Sequence, residues 1–226
     1  MQLVIGNKNY SSWSMRPWVL ATHFGLPFEE VKLRFDSFEP GSEFKRRIGE
    51  LTPTGRVPVL VDGDLAVWDS LAIAEYLAEK FPQAALWPRD ARQRARARSV
   101  VAEMHSGFGA LRSHFGMNIE ARLPEVGARV LAAQPAARAD VERMVALWEN
   151  ALAASGGPFL FGEFSIADAF FAPVATRFRT YGLPASATAA AYIERVLASP
   201  GAAAWVRDAL EEKDFCTSEE QYRTAR

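Results

Sequence analysis

The chain is poor in cysteine, poor in histidine and without a surplus of either charge. Its single cysteine, Cys216, cannot form an internal disulfide, and one thiol supplies neither a redox pair nor a cysteine-rich zinc site. That excludes a disulfide-stapled scaffold and fits a reducing, cytoplasmic compartment. Lysine plus arginine number 26 against 27 aspartate plus glutamate, a net charge of −1. A general nucleic-acid binder carries a basic face and a membrane-surface protein a polybasic patch, so neither class is expected. His23, His105 and His114 do not form a convincing metal set. No stretch approaches the ~18 uncharged apolar residues of a spanning helix, and the first ten residues lack the apolar core of a signal peptide.

What is present is ordinary globular material. Hydrophobic residues make up 49% of 226, enough for one large domain or two small ones. The first ~80 residues alternate between strand and helix patterns. Gln2 to Ile5 is a short apolar run, and Ser14 to Phe24 reads as a helix stopped by Gly25-Leu26-Pro27. Glu29 to Leu33 alternates charged and apolar residues, and Ser42 to Gly49 is a short polar helix. Val57 to Val61 is a strand, Asp62-Gly63 a hairpin signal and Leu65 to Val67 the returning strand. Leu71, Ala74, Leu77 and Phe81 mark one face of a helix from Ser70. The order is β-α-β-α-β-β-α, with parallel pairing across the first crossover and an antiparallel hairpin.

The pattern changes after Phe81. Pro82 to Asp90, with Pro82 and Pro88, reads as a linker, with residues 83–90 between a domain at 1–82 and an all-helical one at 91–226. Val101, Met104, Phe108, Leu111 and Phe115 step by three and four, as on one long helix. Further helices are expected around Val141 to Leu152, Ser165 to Arg179, Ala187 to Leu197 and Ala202 to Glu212. Ser165-Ile166-Ala167-Asp168 has the capping-box pattern, complete without a ligand. The run Arg89, Arg92, Arg94, Arg96 and Arg98 is read as a solvated face or a contact between copies.

Three places could carry chemistry. Asn9 to Arg16 joins the first strand to the first helix and holds Ser11, Ser12 and Ser14. A helix start leaves N–H groups unpaired and favours an anion, a thiolate included. The competing role is a simple serine cap. Val57-Pro58 opens a strand and could present a cis bond to a ligand along the strand edge. Asp69-Ser70 caps a helix or grips an α-amino and α-carboxylate pair. His105 and Arg112, seven residues apart, fall on roughly one helix face.

Taken in this order and spacing, the motifs resemble the glutathione S-transferase superfamily over essentially the whole chain. The most specific stretch is Thr52-Pro53-Thr54-Gly55-Arg56-Val57-Pro58-Val59-Leu60 followed by Asp69-Ser70-Leu71-Ala72-Ile73-Ala74-Glu75-Tyr76-Leu77. The resemblance implies a thioredoxin-like α/β domain joined to an all-α helical domain. It implies glutathione as cosubstrate, with no metal, and a homodimer acting on small apolar electrophiles. Ser11-Ser12-Trp13-Ser14-Met15-Arg16 is similar to the serine classes, zeta and tau above all. Ser11 is then the expected thiolate donor and Ser12 its competitor. The glutathione contacts would be Ser11, Ser14, Lys45, Arg56, Val57, Asp69 and Ser70. The electrophile pocket would draw on Tyr10, Trp13, His105, Phe108 and Arg112, with Phe215 nearby. The sequence departs from the zeta pattern at Glu43 and near Gly109, where that class carries glutamine. An isomerase or dehalogenase of the zeta sort, or a non-catalytic binding protein, are the alternative readings.

Overall fold

The computed structural model describes all residues, Met1–Arg226. Four strands form one sheet: β1 (Gln2–Ile5), β2 (Glu29–Lys32), β3 (Val59–Asp62) and β4 (Leu65–Val67), in the order β2-β1-β3-β4. β1 runs parallel to β2, with Val4 opposite Val31, and antiparallel to β3, with Leu3 opposite Leu60. The parallel pair needs a crossover, and α1 (Ser12–His23) supplies it. β3 and β4 form the hairpin, with Asp62 opposite Leu65 and Gly63 at φ +65° in the turn. α2 (Glu43–Gly49) and α3 (Ser70–Lys80) complete the α/β part. These elements match the expected order. The third strand starts two residues late because Val57–Pro58, a cis peptide, still belongs to the entering loop.

From Ala91 onward the chain is helical. α4 (Ala91–Ser106) and α5 (Gly109–His114) replace the single long helix that the three-four spacing predicts. The break is local and steric. A Cβ on Gly107 would sit 2.7 Å from the Glu103 carbonyl oxygen, and Phe108 takes a left-handed conformation at φ +54°. The chain reverses there, yet Met104, Phe108, Leu111 and Phe115 are all buried in one core. The periodicity is thus real while the continuous helix is not. α6 (Pro124–Ala133) is a further helix outside the sequence expectation. It crosses the end of the buried helix at Gly127, where a Cβ would stand 1.9 Å from the Tyr181 carbonyl oxygen. α7 (Pro135–Ser155), α8 (Ile166–Tyr181), α9 (Ala187–Ala198) and α10 (Pro200–Glu212) follow.

α8 is the centre of the molecule. Every residue from Ile166 to Tyr181 except Arg179 is buried, so the helix is enclosed on all sides. Its start carries the capping box: Ser165 accepts from the Ala167 amide, and Asp168 accepts from the Ser165 amide at 2.9 Å. Asp168 also takes the Tyr192 hydroxyl at 3.0 Å and the Leu160 amide at 3.2 Å. Burial pushes its carboxyl up to about 6 against these donors, which act to lower it. α8 packs on α1 and α4, and α10 packs on the other side of α1. The core is therefore continuous from the sheet into the helices.

The approach of α10 to α1 depends on Gly201, where a Cβ would lie 2.3 Å from the Val19 carbonyl oxygen. Gly201→Ala is expected to lower stability by about 1–3 kcal/mol despite alanine's better helix propensity. Gly109→Ala, with nothing within 4 Å of the added carbon, is the control and should leave stability unchanged or slightly raised. Urea denaturation midpoints of the two variants check this.

Candidate functional site

The site is built on the start of α1. β1 ends at Ile5, and the loop Gly6 to Tyr10 carries the chain onto the helix. Ser11 is the N-cap, held by its amide to the Asn7 carbonyl at 2.8 Å, and no side chain caps the first turn. The amides of Trp13 and Ser14 consequently have no acceptor in the chain, which makes the turn an anion-favouring end.

The three serines are in different states. Ser14 is fully buried, and its Oγ accepts the Gly6 amide at 3.2 Å and the Ser11 hydroxyl at 2.7 Å. Ser14 thus backs Ser11 and does not face the cleft. Ser12 Oγ accepts from Arg177 Nη2 at 3.1 Å, so its own proton is free for another acceptor. Tyr10, next to them, is occupied. Its hydroxyl donates to Glu220 at 2.7 Å, and burial pushes its pKa upward.

Ser11 and Ser12 open onto a cleft of about 520 Å³. One wall comes from the α/β part, through Tyr10, Trp13, Lys45, Arg56, Val57 and the rings of Phe35, Phe38 and Phe44. The facing wall comes from Arg112, Met117 and Arg177, and Ser218, Glu219 and Gln221 of the C-terminal segment close one side. Lys45, Arg56, Arg112 and Arg177 give the cleft four cations against one carboxylate, Glu219. Burial raises that carboxyl to about 7. Lys45 Nζ donates to the Gly55 carbonyl at 3.1 Å, fixing it beside Arg56.

Other expected residues fall elsewhere. Asp69 caps α3 through the Leu71 amide at 3.0 Å, and its second oxygen meets His105 Nε2 at 3.0 Å. Burial holds the His105 pKa down, with Asp69 opposing, and the contact joins the two parts. Ser70 is buried beside it, its hydroxyl without a partner. These three lie off the cleft lining. Phe108 does not reach the cleft either, because its left-handed backbone turns it into the core. Glu43 opens α2 on the surface, and Gly109 opens α5.

The sequence reading did not include Arg16 and Arg177 as site residues. Arg16 is 2% exposed, and its Nε and Nη1 have no partner. Its guanidinium lies 4.1 Å over the Trp13 ring, and that of Arg112 lies 5.5 Å from the same ring. Burial lowers the Arg16 pKa to about 9, with the like charges of Arg177 and Arg112 adding to it. Burial likewise lowers Arg177 to about 10. The one signal for Arg177 in the sequence is an arginine inside the apolar run from Ile166 to Phe178.

A four-stranded mixed sheet with a strand–loop–helix anion end, cis-proline at the facing strand and an appended helical bundle defines a thioredoxin-like domain joined to a helical one. Comparison with known proteins specifies the family. The family model "Glutathione S-transferase, N-terminal domain" matches residues 10–80, and "Glutathione S-transferase, C-terminal domain" matches residues 89–208. The chain belongs to the glutathione S-transferase family. It is 42% identical over 96 residues to glutathione S-transferase 1 of Dianthus caryophyllus, covering 42% of this chain and 41% of that protein. It is 39% identical over 104 residues to glutathione S-transferase Z1 of Arabidopsis thaliana, covering 42% and 44%. The chain thus aligns with under half the length of these curated relatives. A glutathione transferase homolog from Burkholderia, solved with bound glutathione, superimposes with a TM-score of 0.68 at 25% identity, covering 94% of this chain and all of that one.

The Tyr10 hydroxyl ties the α/β part to the C-terminal segment, where it also accepts from the Cys216 amide at 3.4 Å. Tyr10→Phe is expected to cost about 1 kcal/mol of stability and to speed protease cleavage within residues 213–226. Urea unfolding and limited proteolysis with mass mapping check both.

Proposed function

We propose that the protein is a glutathione transferase that ionises the glutathione thiol at the start of α1 and delivers it to a small electrophilic carbon. The observation that carries this is the uncapped first turn of α1, with Ser12 free to donate, opening onto a cationic cleft. The peptide backbone of glutathione would pair along Val57. Lys45 and Arg56 would meet its glycyl carboxylate, and its γ-glutamyl end would extend past Val57, beyond the cleft lining, to Asp69 and the unpartnered Ser70 hydroxyl. The thiolate would then attack the acceptor against Trp13, Tyr10 and Arg112. The serine donates a hydrogen bond and never becomes a nucleophile, so no histidine or aspartate partner is required.

Between the two serines the geometry favours Ser12. The Ser11 proton is spent on Ser14, whereas the Ser12 oxygen already accepts from an arginine and its proton is left over. The exposed Leu65 and Trp68, on β4 and just after it, support a homodimer built through that edge. The division into 1–82 and 91–226 is kept as the domain plan. The single cysteine, Cys216, is free and buried, which supports a reducing, cytoplasmic setting; no helix is long and apolar enough to cross a membrane. The names of two further relatives, a probable maleylacetoacetate isomerase of Caenorhabditis elegans and a dichloromethane dehalogenase of Methylorubrum extorquens, support a second reading on the same thiolate, glutathione-dependent isomerisation or dehalogenation.

Calorimetry with glutathione, paired with the ultraviolet absorbance of bound thiolate against pH, tests the proposal. Wild type should bind and hold the thiol below its ordinary value of ~8.5. A hydrogen bond to a charged group contributes about 1.5–3 kcal/mol, so Ser12→Ala should raise the bound thiol by about 1–2 pKa units. Ser11→Ala should shift it less. A larger shift in Ser11→Ala reverses the assignment, and no binding at millimolar glutathione removes the enzyme reading.

A further inference from the structure

Arg177 is a costly residue in its position. It sits on α8 at 4% exposure, in the most completely buried helix of the chain. Buried arginines normally meet a carboxylate, because an uncompensated buried charge is expensive. Arg177 meets none. Its Nε donates to the Phe115 carbonyl at 2.8 Å and its Nη2 to Ser12 Oγ at 3.1 Å, while Nη1 has no partner. Burial lowers its pKa to about 10, still charged at neutral pH. Arg16, also buried and unpaired, adds a second positive charge behind the same serines. The Phe115 contact fixes where the fork points, and the fork ends on the cleft-lining serine. The missing counter-charge is therefore external to the chain.

We propose that Arg177 sets the ionisation of a thiol bound at Ser12, orienting the serine hydroxyl as donor and supplying the positive charge that the thiolate balances. This rests on the glutathione reading of the cleft and names a positioning residue for it from the helical half of the chain. The step is a heterolytic loss of the thiol proton to water, with the sulfur keeping the electron pair. A sulfur accepting from Ser12 at ~3.3 Å, with a near-tetrahedral angle at the oxygen, lies ~5 Å from Nη2, in the ~4–6 Å range where an opposite charge lowers a pKa by about 1–3 units. The arginine acts in two ways at once. By occupying a lone pair of Ser12 it directs the hydroxyl proton outward, and its charge reaches the same sulfur directly.

Two variants separate charge from geometry. Arg177→Gln keeps an amide donor toward Ser12 without the charge, and Arg177→Lys keeps the charge without the fork. The readout is the thiolate absorbance of bound glutathione against pH, with S-methylglutathione affinity as a control for the intact cleft. Arg177→Gln should raise the bound thiol by about 1–2 pKa units and leave S-methylglutathione affinity within about threefold of wild type. Arg177→Lys should recover at least half of the shift. A folded Arg177→Gln protein that binds S-methylglutathione normally and ionises glutathione at the wild-type pH overturns the inference. Should the substitutions unfold the protein, wild type alone decides: glutathione sulfonate should bind about tenfold or more tightly than S-methylglutathione, a preference of one pKa unit's worth. Equal affinities overturn the inference. Failure of wild type to bind either compound instead removes the glutathione reading itself, a different outcome from both.

Discussion

The structure depends on the burial of α8 against α1. α8 is enclosed almost completely, and its buried polar side chains, Asp168, Thr176, Arg177 and Thr180, all make hydrogen bonds inside the structure. Its neighbours are α1 on one side and α4, α6 and α9 around it. α1 in turn carries the anion-favouring turn at its start and lies sandwiched between α8 and α10. The position of the candidate site is thus set less by the loop that contains it than by the helical core behind it. Close approach is enforced at two glycines, Gly127 under Tyr181 and Gly201 under Val19, where any side chain would meet backbone. A small displacement of α8 would move Arg177 and Ser12 together, because a 3.1 Å hydrogen bond joins them.

The electrostatics follow from that packing. Arg16 and Arg177 are held in the core region next to one wall of the cleft, and their charges repel each other. Elsewhere the chain pairs its buried charge with care. Lys8 meets Glu30 and Asp208, each at 2.7 Å, and lies 4.3 Å from the Trp18 ring. Arg223 meets both Glu120 and Glu220. Of the arginines only Arg16 and Arg177 are buried, and neither has a carboxylate partner. They occur together, beside the serines, which is where a ligand charge would complete them.

The α/β part was legible in the sequence because its signals are short-range. A short apolar run marks β1, alternation marks β2, Asp62-Gly63 marks the hairpin, and three-four spacing marks α3. The helical part was legible in kind but not in detail. Spacing from Val101 to Phe115 records that those residues share a core, and it is blind to a reversal at Gly107 and Phe108. α6 escaped because Gly127, the residue that lets it pack, weakens its helix pattern. The near wall of the cleft was readable for the same reason as the sheet: Ser11, Ser12, Lys45, Arg56 and Val57 lie in recognisable local motifs. The far wall was not. Arg177 reaches Ser12 from 165 positions along the chain, and Glu220 reaches Tyr10 from 210, distances at which periodicity carries no information. Asp69 and His105 show the same limit: each stands out in its own local pattern, while the 3.0 Å contact between them does not.

Trp13 has a consequence of a different kind. Its indole lines the cleft, lies close to the guanidinium groups of Arg16 and Arg112, and meets the edge of His105 at 5.2 Å. Trp148 and Trp205, by contrast, are sealed in the interior. The excited state of indole moves electron density across the ring, so its colour responds to nearby charge. An anion entering among those cations alters the field at Trp13 and leaves the sealed tryptophans nearly untouched. The fold has placed a native optical reporter at the one point where occupancy of the cleft is felt as an electric field.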